Sequence, residues 1–81
     1  MALSLLFLGK LEDVAGVGAM AIAVDAPLSL REIAGRLDSE LARAIGAPAI
    51  RIALNGQLVA PDAVRAGDGD ELAFLPPVSG G

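Results

Sequence analysis

The 81-residue chain contains neither Cys nor His. That removes thiolate nucleophiles and thiolate metal sites, the commonest general base and the commonest metal ligand. Chemistry is left to carboxylates, to Ser4, Ser29, Ser39 and Ser79, to the lone Lys10, and to the chain terminus. The last six residues, Pro76-Pro77-Val78-Ser79-Gly80-Gly81, point to the terminus. Two final glycines pack nothing, and Gly loses more backbone entropy on ordering than any other residue. Proline lacks an N–H and fixes φ, so sheet pairing should stop at Pro76. The expectation is a domain over residues 1–75 that holds out a flexible, side-chain-poor tail over residues 76–81. The best remaining reactive group is then the main-chain carboxylate of Gly81, with no catalytic side chains of the chain's own.

The composition narrows the partners. A formal net charge of −4 disfavours nucleic acid and anionic membrane surfaces, both of which need a basic patch, and favours a partner with a basic face. Hydrophobic residues make up 54% of the chain, enough to argue against disorder, and the length allows one domain. The apolar start, Met1 to Leu8, lacks a positively charged leader and is interrupted by Lys10. Nothing approaches the ~20 apolar residues of a membrane span. The expected location is the cytoplasm.

The tail needs a scaffold, and the patterning supplies one. Ala2 to Gly9 reads as a strand with Leu3, Leu5 and Phe7 on one face. Gly9 to Gly18 reads as a loop, with or without a helical turn. Ala19 to Val24 alternates again, with Met20, Ile22 and Val24 together. Ser29, with Glu32 three residues on, has the spacing of a capping box. Leu30, Ile33, Ala34, Leu37, Leu41, Ala44 and Ile45 then trace one helical stripe, ended by Gly46 and Pro48. Gly35 weakens that helix, and its small size suits close approach to a sheet. Ile50, Ile52 and Leu54 alternate into Asn55-Gly56, a two-residue hairpin signal, and Gln57 to Val59 returns. Pro61 to Arg65 is a turn with Val64 plugging the core. Ala66 to Asp70 is a tight polar turn, and Glu71 to Leu75 is the last strand, with Leu72 and Phe74 inward. The order ββαββ implies an α+β, β-grasp (ubiquitin-like) fold: a mixed sheet of four to five strands with one main helix across it. The last strand must lie centrally, beside the first.

The Asp68-Gly69-Asp70-Glu71 turn leads into Phe74-Leu75-Pro76-Pro77-Val78-Ser79-Gly80-Gly81. Together with Phe7-Leu8-Gly9-Lys10-Leu11-Glu12-Asp13-Val14-Ala15-Gly16 and Asn55-Gly56-Gln57-Leu58-Val59, this ending resembles the MoaD family, the ubiquitin-like sulfur carriers that are small subunits of molybdopterin synthase. The likeness covers the whole chain. It implies that Gly81 is adenylated with ATP by an E1-like adenylyltransferase of the MoeB type. A sulfurtransferase then supplies sulfur for a C-terminal thiocarboxylate. The tail Pro76, Pro77, Val78, Ser79 and Gly80 inserts into the large subunit, of the MoaE type, where sulfur passes to cyclic pyranopterin monophosphate for molybdenum cofactor biosynthesis. No permanently bound cofactor and no metal is implied. The chain acts as a sulfur-donating subunit rather than a catalyst.

The tail's physics agrees. A carboxylate is a poor electrophile, and an acyl-adenylate is a reactive one. Four residues beyond the prolines reach roughly 13 Å when extended. Glycine allows close backbone approach, and the prolines limit the entropy lost on insertion. By strand parity Leu8 and Leu75 face away from the helix, and Leu58 joins them in an exposed apolar docking patch; the alternative is ordinary core or scattered surface leucines. Asp68, Asp70 and Glu71, near the tail in sequence, are either a solvated turn or partners for basic residues. Lys10 reads as a solvated surface lysine.

Alternatives share the fold and the ending. One is a ubiquitin-like sulfur carrier for thiamine, tRNA thiolation or cysteine synthesis, although thiamine carriers are usually shorter and lack the Pro-Pro-Val ending. The other is a non-sulfur protein modifier or a β-grasp binding module.

Overall fold

The computed structural model describes residues 1–77. Strand β1, Ala2–Phe7, is followed by helix α1, Lys10–Ala15, and strand β2, Ala19–Ala23. Helices α2, Leu30–Ala34, and α3, Ser39–Ile45, come next. Strands β3, Arg51–Leu54, and β4, Gln57–Val59, form a hairpin, and β5, Glu71–Leu75, is the last strand. The sheet runs β2-β1-β5-β3-β4, with β1 and β5 parallel and the other pairs antiparallel. The fold is a five-stranded β-grasp, with β5 at the centre beside β1 as the alternation requires.

Period-two patterning sets the core. Leu3, Leu5, Leu72 and Phe74 are fully buried, and Phe7 nearly so. The Phe7 and Phe74 rings stack at 5.7 Å between centroids. From the helical side Ile33, Leu41 and Ile45 close over them, with Val64 as the expected plug. The capping box forms: the Ser29 hydroxyl accepts from the Glu32 amide at 3.1 Å, and the Glu32 carboxylate accepts from the Ser29 amide at 2.9 Å. Asn55 and Gly56 both take positive φ, 51° and 86°, as a type I′ turn requires.

The helical layer departs from one continuous helix. α2 stops at Ala34, and the Arg36 and Leu37 amides bond three residues back, to Ile33 and Ala34. Asp38 then takes extended φ and ψ and caps a new helix, its carboxylate accepting from the Leu41 amide at 2.9 Å. Gly35 lowers helix propensity at the break, and Asp38 competes for the backbone as a cap. The stripe survives because Ile33, Leu37 and Leu41 keep their spacing across the interruption. Gly35 does not approach the sheet: the atoms nearest a Cβ there would be the Glu32 and Arg31 carbonyl oxygens, at 3.4 and 3.7 Å. The loop after β1 holds a full helix, α1, which buries Leu11 and packs against α3.

Candidate functional site

Among the described residues no polar or charged side chain is buried, and no group of acidic residues could hold a metal ion. No helix of the described residues is long and apolar enough to cross a membrane. A functional site must therefore lie on the surface, and the geometry singles out the C-terminal end of β5.

Pairing ends there as the prolines dictate. The Leu8 amide bonds the Phe74 carbonyl at 3.2 Å, and Leu75, opposite Arg51, is the last paired residue of β5. Pro76 then seats on Gly9, where a Cβ would stand 2.9 Å from the proline Cγ. Gly9 has φ +55°, a conformation L side chains rarely adopt, so glycine both makes the turn into α1 and leaves room for the ring. The tail root is thus held on one side by the β1–α1 turn. Its reach beyond Pro77, and the expected roles of Val78, Ser79, Gly80 and Gly81, lie outside the described residues.

On the other side is an open groove of about 630 Å³, lined by Pro48, Ala49, Arg51, Leu58, Leu75, Pro76 and Pro77. The register explains it. With Leu72 and Phe74 inward, Ala73 and Leu75 face out; Arg51 lies opposite Leu75, and Leu58 opposite Ala53. Leu58 is 62% exposed and Leu8 44% exposed, while Leu75 is half-buried. Leu58 and Leu75 share the groove wall. Leu8 follows Phe7, the partner of Phe74, so the register sets it beside Leu75 on the other flank. The three leucines named from parity therefore surround the tail root. Arg51, Pro48 and Gly9 were missed. Only the β3–β5 pairing brings Arg51 beside Leu75, and no local pattern gives that pairing.

The acidic turn is elsewhere. Asp68, Asp70 and Glu71 stand at the opposite end of β5 from the tail root, roughly 13 Å along an extended strand. The sequence reading set them near the tail; a fully extended β5 separates them from it. The two Asp carboxylates are also hydrogen-bonded within the fold. The Asp68 carboxylate accepts from the Ala2 amide at 2.8 Å. Asp70 accepts from the Gly67 amide at 2.8 Å and from Asn55 Nδ2 at 3.0 Å. Asn55 Oδ1 accepts from the Glu71 amide at 2.9 Å, so the network ties the β3–β4 hairpin to the start of β5.

Hydrogen bonds from Asn55 and then Gly67 hold the Asp70 carboxyl below its ordinary value of 3.8. A carboxylate with a lowered folded-state pKa contributes stability above its unfolded pKa, and that contribution is lost as pH falls through the folded value. Asp70→Asn should therefore lower Tm at neutral pH, and the difference should shrink as pH falls below 3.8 and through the lowered folded-state value. Thermal melts across pH check this; a constant difference at all pH values would mean the charge is not responsible.

A family model described as the ThiS family matches residues 5–81. No curated protein matches the chain. Among solved structures, SAMP1 from Haloferax volcanii is 27% identical, with 100% of both chains covered and a TM-score of 0.79. A chain in the protein–protein complex of subunits 1 and 2 of molybdopterin-converting factor from Helicobacter pylori 26695 is 26% identical, with 100% of both covered and a TM-score of 0.64. A candidate molybdopterin converting factor subunit 1 from Pyrococcus furiosus shares the fold at 20% identity, with 96% of this chain and 99% of that one covered and a TM-score of 0.74.

Proposed function

The chain belongs to the ThiS family of ubiquitin-like sulfur carriers, and from that premise we propose that it is the sulfur-carrying small subunit of a molybdopterin synthase, with Gly81 as the working group. The observation that carries this reading is the tail root. Pro76 and Pro77 leave the central strand beside an open apolar groove, so a partner gripping the groove receives the tail at the same place. The likeness to the Helicobacter pylori subunit complex supports the choice of partner.

In this account an E1-like enzyme joins the Gly81 carboxylate to AMP from ATP, releasing pyrophosphate. The outer sulfur of a sulfurtransferase persulfide attacks the acyl carbon; the C–S bond forms, AMP leaves, and a thiol reductant cleaves the S–S bond of the acyl disulfide to free the thiocarboxylate. The resulting thiocarboxylate enters the large subunit and gives its sulfur to cyclic pyranopterin monophosphate, and hydrolysis returns the carboxylate. The chain's own residues bind and orient: Leu8, Leu58 and Leu75 dock, while Gly9 and Pro76 fix the angle at which the tail departs. Residues 1–75 are the handle and residues 76–81 the tail. Asp68, Asp70 and Glu71 lie at the opposite end of β5 from the root, where Glu71 can meet a basic partner residue at the distal rim.

A second reading, a protein modifier of the SAMP1 kind, is favoured by the TM-score of 0.79 over the full chain. Reconstitution with thiocarboxylated chain, a molybdopterin synthase large subunit and cyclic pyranopterin monophosphate separates the two. Molybdopterin formation is the expected result. Thiolation of a different acceptor, or conjugation to protein lysines in its place, would reject the molybdopterin assignment.

Replacing the exposed Leu58 by Glu, or Leu75 by Glu, should weaken large-subunit binding by at least about 10-fold, as expected for a leucine buried in an interface centre, with the melting transition retained. Calorimetric titration and a thermal melt read both quantities. Unfolding of Leu75→Glu would mean that Leu75 belongs to the core and not to the docking face.

A further inference from the structure

The sheet has two edges, and they are finished differently. β4 has three residues and is followed, after Ala60, by Pro61, which limits pairing with a further strand. β2 has five residues, Ala19-Met20-Ala21-Ile22-Ala23, with no charge and no proline. Such an edge lacks the usual guards against pairing.

The direction of its backbone groups can be read from the ladder. The Phe7 amide bonds the Gly18 carbonyl, and the Val24 amide bonds the Met1 carbonyl. With the register Leu3↔Ile22 and Leu5↔Met20, the antiparallel alternation turns the N–H and C=O groups of Met20 and Ile22 toward β1. Those of Ala19, Ala21 and Ala23 point outward. The Arg36 guanidinium confirms the direction by donating to the Ala23 carbonyl at 2.6 Å. Among the described residues no other hydrogen bond reaches this edge.

We propose that β2 is a self-association edge, pairing antiparallel with β2 of a second copy of this chain about a two-fold axis through Ala21. Three observations select a second copy. First, the strand is self-complementary: with Ala21 opposite its own copy, Ala19 meets Ala23, and Met20 meets Ile22 on the helical face. Up to about four inter-chain bonds form between the outward groups, the two Ala23 carbonyls being held by Arg36. Second, the alanines leave the outer face flat and unhindered. Third, the charges match. A Cβ on Gly18 would stand 3.4 Å from the Glu12 carboxylate, on the helical side of one end of the strand. Arg36 lies on the same side at the other end, over Ala23. Antiparallel pairing opposes the two ends, so each Arg36 faces the Glu12 of the other copy, about one strand spacing and one residue away.

The pairing joins two five-stranded sheets edge to edge. It leaves β5, the groove and the tail root free, so it is independent of the tail chemistry. An edge contact of this length is smaller than the ~1,200 Å² of stable interfaces, which makes the dimer weak and concentration-dependent.

The test is sedimentation equilibrium of the full chain from about 1 μM to about 1 mM, a range covering weak dissociation constants. The expected mass rises from one chain toward two. Ala21→Pro removes an outward N–H and no bond to β1, so it should fold and remain monomeric. Arg36→Glu should shift dissociation at least about 10-fold toward monomer, and adding Glu12→Arg should restore it. Hydrogen exchange adds a residue-level readout: Ala19, Ala21 and Ala23 amides gain protection with concentration, while Met20 and Ile22 amides are protected throughout. A monomer across the whole range would overturn the proposal. So would a folded Ala21→Pro variant that still dimerises, or a dimer dissociated by Leu58→Glu alone, which would assign association to the outer face.

Discussion

Deleting Gly81, or adding one residue after it, should reduce adenylation and sulfur transfer by at least about 100-fold and leave the melting temperature unchanged. Deletion leaves a carboxylate, now on Gly80, so the reacting group is not lost. It is moved. One residue of extended chain is roughly 3.5 Å, and a displacement of about 1 Å at a reacting centre already costs about 100-fold. The tail root cannot compensate, because Pro76 is seated on Gly9 and the two prolines restrict the first two residues of the tail. Adding a residue moves the carboxylate equally far the other way and places a Cβ where glycine had none. Pyrophosphate release by an E1-like enzyme measures the first step, and thiocarboxylate yield the second. Preserved rates in either variant would mean that the position Gly81 gives the terminal carboxylate does not govern the reaction.

The second large effect is on stability. Phe74→Ala should cost about 3–5 kcal/mol, the range for truncating a buried aromatic. The ring is fully buried and stacked on Phe7, between strand neighbours Phe7 and Ile52 on the two sides. A domain of this length has a total stability on the order of 5–10 kcal/mol, so the variant loses about a third of it or more. The expected fall in Tm is of order 20 °C, read by circular dichroism. Phe74 is two residues before Pro76, so the same change loosens the base from which the tail departs. A loss within about 1 kcal/mol would mean that β5 is not the central strand of the core.

The strands were legible because alternation survives in short segments: Leu3, Leu5 and Phe7, or Leu72 and Phe74, need only local counting. The Asn55-Gly56 turn and the Ser29–Glu32 cap carried their own chemistry. The division of the helix was hidden by the regular spacing of Ile33, Leu37 and Leu41, which a break of the right length leaves intact; Asp38, followed three residues later by Leu41, was the cap signal that marked it. The outward set around the tail root followed from parity on single strands. Its completion by Arg51 and Pro48 did not, because that requires the pairing of β3 with β5. The acidic residues show the converse: Asp70 is six positions from Pro76 in sequence, but the intervening strand is extended, and its hydrogen bonds go to Asn55 and Gly67.

The most direct test of the sulfur-carrier account is mass spectrometry of the chain after incubation with an E1-like activating enzyme, ATP and a sulfur donor. The predicted result is an ATP-dependent mass gain for one sulfur replacing one oxygen, confined to the C-terminal peptide ending in Gly81. No ATP-dependent acyl-adenylate and no such gain, or sulfur found anywhere but at Gly81, would contradict it.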